Sequence, residues 1–477
     1  MTLVPDTRRM FDSCRIVSDG LGTLLNGNPG SEMLDDGIVM LHSMASIKMA
    51  KIGNGPSYGI FRIRDDNGKG RADLPQSHVH EVNRCSHRAW HRNIRVSGVQ
   101  FKYTTDGQIK RGEFDSSPYK AMILAQYEVI GPEEEQLIRN FVAAGGTLIA
   151  DVRPGFYGAR GKPRDDGVLD DLFGVRHTGS APVANAPASI AGTVGRTELK
   201  LNRRELYVNP SVEVTTGKAL GRTGDTPNCI VRDVGKGRAV LLNFTMWSYP
   251  KVAAHDGPED AAEFFRGLLA AAGVEAPLDL VDDHGRRHRN IEAVRWRTGA
   301  GTEIVALHGP SWGTWPEPNG SFDPPAAPFG GGLDVRVPVT VKLPEPRYVY
   351  EMRTGRTVGL TDSFKTGAQP FMATLLVVSE ATLHAPTLAP VADSAARGGS
   401  LKLRVDIAQA LGGRALKLSA SGPDGDEAPW FAKSVIVRDG RTLIDLPVAW
   451  NELVGRWTVT VTDLFTTQTA TAVVQVQ

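Results

Sequence analysis

The chain has 477 residues, 41% hydrophobic and 22% charged, with a net charge of +1. That length exceeds one core and suits about three domains, and so balanced a charge supplies no field to recruit nucleic acid or an anionic membrane. The three cysteines, Cys14, Cys85 and Cys229, are far apart and match no metal or redox spacing, which argues against a disulfide framework.

No apolar run reaches the roughly 20 residues needed to cross a bilayer. The N-terminus, MTLVPDTRRMFDSCR, lacks the apolar core of a signal peptide. A cytoplasmic location is the default expectation, open to revision if the chain is a fragment of a longer secreted protein. Residues 1–30 read as a helix and linker. Met10, Cys14, Ile16, Val17, Leu21 and Leu24 form a rough helical stripe that Asn26–Gly30 breaks, and this helix has no domain of its own to pack on.

Residues 31–275 alternate between strand and helix signals, as an α/β domain does. Gly37–Leu41 is a short apolar run suited to a buried parallel strand. A helix is expected over Val79–Ser97, then strands at Val99–Tyr103 and Ala121–Ala125. Pro132 and Glu133–Glu135 start the next helix, where proline loses no hydrogen bond and glutamates favour the positive dipole end. Leu137, Ile138, Phe141 and Val142 form its apolar face, Gly145-Gly146 ends it, and Thr147–Ala150 is a strand. This βαβ unit predicts a parallel sheet. Residues 175–245 are richer in β-type residues, and a last helix runs from Pro258 to Gly273. Residues 280–383 read as all-β, with a hairpin across Thr298–Gly301. A linker is expected near 384–399, and residues 400–477 predict a β-sandwich.

Several of these stretches resemble the trimerisation domain of family-42 glycoside hydrolases, the β-galactosidase family. They are YKAMILAQYEVIGPEEEQLIRNFVAAGGTLIADVRPG with VLDDLFGV, the preceding SHRAWHRNIRVSGVQFKY, and GKGRAVLLNF. LPEPRYVYEMRTGRTVGLTDSF and GRWTVTVTDLFTTQTATAVVQV resemble the β-domains that follow in long relatives. The resemblance implies a fold that is α/β plus all-β: a flavodoxin-like, amidotransferase-like parallel-sheet domain followed by two β-domains. It also implies a homotrimer. In that family a catalytic (β/α)8 barrel with two glutamates comes first, and a barrel needs about 250 residues. Here the segment at 6–25 stands where the barrel would end, so the barrel is expected to be truncated or carried by another chain. The function so implied is a non-catalytic assembly and support module. The alternatives are an active carbohydrate hydrolase or a carbohydrate-binding protein.

The wider fold group includes class I glutamine amidotransferases, which need a cysteine nucleophile at a tight strand-to-helix turn. The comparable turn, Asp151-Val152-Arg153-Pro154-Gly155, has neither cysteine nor serine. Asp151 and Arg153 nevertheless stand at the carboxyl end of a parallel strand, where α/β folds place ligands. They read as contacts to sugar hydroxyls or to a neighbouring barrel, or as an ion pair fixing the loop. Trp312 and Trp315, with Phe322, fall in a proline-rich loop; they suit sugar stacking or an interface plug. His78, His80, Glu81, Cys85, His87 and His91 are dense, but no HExxH motif completes a metal site, and no cofactor is expected. The turn Ile52–Pro56 lacks the GK[ST] of a phosphate loop. Glycosidases need paired carboxylates; here Glu133–Glu135, Asp165-Asp166 and Asp170-Asp171 read as helix-end groups and Asp282-Asp283 as a domain junction. The loops at 44–78 and the β-rich excursion at 175–235 are the surfaces expected to reach a neighbouring subunit.

Overall fold

The computed structural model describes residues 14–27, 29–54, 82–178, 184–246, 258–288, 291–299, 301–309, 336–369, 372–409 and 411–477. Among these residues there are two compact units, one of Asp35–Pro277 and one made of residues up to Leu34 together with those from Leu278 onward. No helix among the described residues is long and apolar enough to cross a membrane.

In the α/β unit the elements are β1 (Ile38–His42), α1 (Met44–Asn54), α2 (Val82–Val96), β2 (Lys102–Thr105), α3 (Asp106–Lys110), β3 (Ala121–Leu124), α4 (Pro132–Ala144) and β4 (Thr147–Ala150). They continue with α5 (Asp170–Phe173), β5 (Ala184–Val194), β6 (Thr197–Val208), β7 (Lys218–Thr223), β8 (Thr226–Val234), β9 (Gly237–Leu242) and α6 (Pro258–Ala271). The nine strands form one sheet in the order β2-β1-β3-β4-β9-β8-β7-β5-β6. From β2 to β9 the neighbours are parallel. From β9 to β6 they are antiparallel.

The sheet is therefore mixed: the expected parallel sheet is present from β2 to β9, and the antiparallel half was not expected. The reason is loop length. Strands β5 to β9 are joined in part by two-residue turns, Gly195-Arg196, Gly224-Asp225 and Gly235-Lys236, whose glycines have φ of +59°, +53° and +59°. A two-residue connection closes a hairpin but cannot make a parallel crossover. The β-rich excursion at 175–235 is thus mostly the second half of the main sheet. Likewise, the long connection at 44–78 opens with α1, whose start is capped by Ser43 accepting from the Ser46 N–H.

Strands β1, β3 and β4 are buried on both faces. On one face Ile38, Met40, Ile123 and Ile149 pack with Trp90 and Ile94 of α2 and with Phe264, Phe265 and Leu268 of α6. On the other face Val39, Leu41, Met122 and Leu148 pack with Ile138, Phe141 and Val142 of α4. Helix α4 begins where Glu134 accepts from the Gly131 N–H and ends at Gly145, φ +115°. At Gly146 a Cβ would lie 2.3 Å from the Phe141 ring, so only glycine permits the tight exit into β4.

The second unit holds β10 (Asp279–Val281), β11 (Glu292–Gly299), β12 (Thr302–His308), β13 (Val337–Glu351), β14 (Arg356–Ala368) and β15 (Thr374–Ser379), which with Glu32-Met33 form one antiparallel sheet. It continues with β16 (Pro386–Pro390), β17 (Ser400–Ile407), β18 (Arg414–Ser421), β19 (Lys433–Val437), β20 (Arg441–Pro447), β21 (Gly455–Asp463) and β22 (Thr469–Val476). These make a three-stranded sheet, β16-β17-β20, and a five-stranded sheet of Ser394-Ala395 with β22-β21-β18-β19. The two sheets share one core containing Leu403, Val405, Leu418, Trp457 and Val459. The expected linker at 384–399 thus supplies an edge strand that buries Leu388, and edge strands tolerate its prolines.

The N-terminal segment does have a packing partner, contrary to the sequence reading. Leu21 and Leu24 are buried among Ile304, Tyr350, Leu375 and Val377 of the first sheet and Ala415 and Phe465 of the sandwich. The stripe needed a long-range hydrophobic seat that local sequence does not reveal. Beside that seat Gly299 and Gly412 meet backbone to backbone: a Cβ on Gly299 would lie 2.2 Å from the Gly412 Cα. Arg414 and Asp463 form a fully buried ion pair, with the guanidinium 5.1 Å from the Phe465 ring centroid. Asp463 also accepts from the Phe465 N–H and the Thr466 hydroxyl. Removing one partner of such a pair strands a buried charge. Asp463→Ala should therefore lower unfolding stability by about 3 kcal/mol or more, read from the urea midpoint of the full chain.

Candidate functional site

The carboxyl ends of β3 and β4 bring together the groups that the sequence singled out in the α/β unit. Two non-glycine residues there adopt left-handed backbone conformations, Gln126 at φ +44° and Arg153 at φ +62°. Such strain persists only where surrounding contacts hold it, and it gathers at functional sites.

Asp151 supplies one of those contacts. It is 1% exposed, and its carboxylate accepts from the Gln126 N–H at 2.6 Å and from the Trp90 indole N–H at 3.0 Å. Trp90 is itself buried and meets Phe265 edge to face at 5.4 Å. The carboxylate thus ties helix α2 to the turn after β3. Arg153 is not its ion-pair partner. Instead the Arg153 guanidinium lies 4.7 Å from the Phe156 ring centroid, and its Nε has no hydrogen-bond partner. Glu128 has its carboxyl pKa raised by burial, opposed by the charge of Arg153. So Asp151 is sealed into the scaffold, whereas Arg153 remains a half-buried cation with donor capacity to spare.

A buried Asp–His pair lies next to this site and was missed in the sequence. Asp170 accepts from His177 Nδ1 at 2.8 Å and from the His177 N–H at 2.9 Å. The His177 ring packs edge to face against Phe156 at 4.6 Å. Asp170 reads as a helix-end group; its partner comes from a strand seven residues on, beyond the left-handed turn at Gly174 that ends the helix, so helical spacing does not flag the pair. The pair has the geometry of a carboxylate orienting an imidazole. His177 Nε2 is buried without a hydrogen-bond partner, so among the described residues no hydroxyl or thiol is positioned for activation.

Of the remaining carboxylates considered for acid–base work, Glu134, Glu135, Asp171, Asp282 and Asp283 have structural partners. Glu134 accepts from the Tyr127 hydroxyl at 2.8 Å and from the Gly131 N–H. Asp171 pairs with Arg139 at 2.8 Å. Asp282 pairs with Arg286 and Asp283 with Lys365, each at 2.9 Å. Cys229 is fully buried, with its thiol pKa pushed up to about 12 by burial, which removes it as a nucleophile.

His87 and His91 do not converge. His87 meets His42 at 5.3 Å, and its pKa falls to about 4, through burial first and then the charge of His42. His91 packs against Phe101 instead, at 5.3 Å. Among the described residues no group of three or more His, Cys, Asp and Glu could hold a metal ion. His78, His80, Glu81, Trp312, Trp315 and Phe322 lie outside the described residues, as does the side chain of Cys85.

Burial raises the Asp151 pKa from 3.8 to about 7, in spite of the two N–H groups that favour the carboxylate. Between these values the folded chain keeps a proton that the unfolded chain has released, so Asp151 costs stability as pH rises through that window. Asp151→Asn does not titrate. Its urea midpoint relative to the parent should therefore rise between about pH 4 and 7 and level off above. Trp90→Phe leaves one carboxylate oxygen unpaired and should cost about 1–3 kcal/mol at neutral pH.

No family model matches the chain, and neither does any curated protein. Among solved structures it is similar to a β-galactosidase from Bacillus circulans sp. alkalophilus, with 14% identity, 73% of this chain and 42% of that one covered, and a TM-score of 0.48. A cold-adapted β-galactosidase from Rahnella sp. R3 gives 15% identity, 73% and 41% coverage, and a TM-score of 0.45. A catalytic mutant of a GH42 β-galactosidase from G. stearothermophilus gives 13%, 72%, 40% and 0.44. The chain therefore spans about two fifths of the length of these galactosidases.

Proposed function

We propose that this chain is a non-catalytic assembly and support module of a family-42-type glycoside hydrolase. The observation that carries the reading is the turn after β4. Where an amidotransferase-like enzyme would present a nucleophile, this chain places Asp151, buried and bonded to Trp90 and the Gln126 N–H. The resemblance of residues 119–175 to the trimerisation domain supports the same reading. So do the structural partners of Glu134, Asp170, Asp171, Asp282 and Asp283, which leave none of these as a free acid–nucleophile pair.

In this reading the module assembles as a homotrimer or docks a barrel-bearing glycosidase chain. Arg153 is its contact residue at the strand ends, facing sugar hydroxyls or a neighbouring barrel, while Asp151 holds the turn. Trp312 and Trp315 are further carbohydrate contacts. A location in the cytoplasm belongs to the same proposal.

Two measurements test it. Purified chain should release no aryl product from galactosides above background; turnover that survives repurification and vanishes on changing one carboxylate would overturn the non-catalytic assignment. Light scattering at micromolar concentration should give a trimer mass at low and high salt. A monodisperse monomer in both would mean that this chain alone does not assemble.

A further inference from the structure

The loops between β18 and β19, between β20 and β21, and before β17 emerge at one end of the sandwich. Ser421 at the end of β18 pairs with Thr458 near the start of β21, and Ser400 at the start of β17 pairs with Pro447 at the end of β20. At this end Trp430 is 66% exposed and Trp450 is 81% exposed. The sandwich does not leave aromatics outside by default, since Trp457 and Phe431 are buried in its core. Both exposed indoles are held in place. Trp430 donates its N–H to Glu452 Oε2 at 3.2 Å, and Trp450 lies over Gly398, where a Cβ would meet the indole at 2.5 Å.

Between them stand two polar groups with unused capacity. Glu452 is largely buried, and its second carboxylate oxygen has no hydrogen-bond partner. Arg397 donates through Nε to the Glu452 carbonyl at 2.7 Å, which leaves its terminal nitrogens without a protein partner.

We propose that this end of the sandwich binds a neutral saccharide chain, with Trp430 and Trp450 as stacking platforms and Glu452 and Arg397 as hydroxyl partners. Exposed indole faces match the apolar C–H faces of pyranose rings, and each carries a polar edge. A free carboxylate oxygen needs donors and a guanidinium needs acceptors; sugar hydroxyls supply both. A protein partner burying the patch would have to desolvate the same two charged groups, and interface cores are depleted in charge. The site does not depend on the assembly reading, because binding needs neither a trimer nor a barrel.

The test is native affinity electrophoresis of the full chain through gels containing linear galactan, mannan, xylan or arabinogalactan. Retardation is expected in at least one gel. Trp450→Ala and Trp430→Ala should each weaken it about tenfold or more. Trp450→Phe should retain part of it, and Leu443→Ala, at a strand residue 71% exposed, should leave it unchanged. Near-UV circular dichroism checks that each variant is folded. No retardation in any gel would overturn the proposal, as would retardation indifferent to both tryptophan-to-alanine changes. So would a change in oligomeric mass on Trp450→Ala without any sugar retention, which would make the patch a protein interface.

Discussion

Strands β1, β3 and β4 bury both faces, and nearly everything else in the α/β unit follows from that requirement. A strand apolar on both sides needs a layer above and a layer below. Helices α2 and α6 provide one and α4 the other. The helices must then enter and leave the sheet through tight turns, which is why Gly145 and Gly146 end α4 and why Gly131, freed of a side chain, sits where Glu134 caps the helix start.

The same requirement decides the chemistry at the strand ends. Asp151 follows a fully buried strand and comes to lie under Trp90, so water cannot solvate it and the protein must. Its carboxylate is spent on holding a left-handed turn at Gln126, a conformation that would otherwise be costly. Arg153, two residues on, lies over Phe156 and keeps donors unused. One short segment thus separates a buried, fully engaged carboxyl from a half-buried guanidinium by depth alone. Phe156 links this segment to the Asp170–His177 pair, in which the carboxylate orients an imidazole whose Nε2 has no hydrogen-bond partner among the described residues.

The second unit uses a different economy. Its sheets close over aliphatic cores, and the buried Arg414–Asp463 pair is tolerated because hydroxyl and backbone donors satisfy the carboxylate. Close backbone contact at Gly299 and Gly412, and burial of Leu21 and Leu24 nearby, join its two β-layers with the N-terminal segment. Against this thorough burial, two indoles remain in solvent, braced by Glu452 and Gly398.

What the sequence determined alone is what depends on neighbours in the chain. The βαβ unit through Ala121–Leu124, Pro132–Ala144 and Thr147–Ala150 was legible from its apolar runs and its proline and glycine ends, because caps and periodicity act over a few residues. The lack of a nucleophile at 151–155 was legible for the same reason. The antiparallel half of the sheet was written in three two-residue glycine turns, but their consequence for strand order emerges only when the hairpins join the parallel half. Pairings between distant residues have no local signature: Trp90 with Asp151 across 61 residues, Arg414 with Asp463 across 49, and Leu21 with Phe465 in one core. Tertiary structure decided those, since burial is set by which surfaces meet. It alone turned Asp151 from a candidate sugar contact into a sealed support and left Trp430 and Trp450 outside while Trp457 went in.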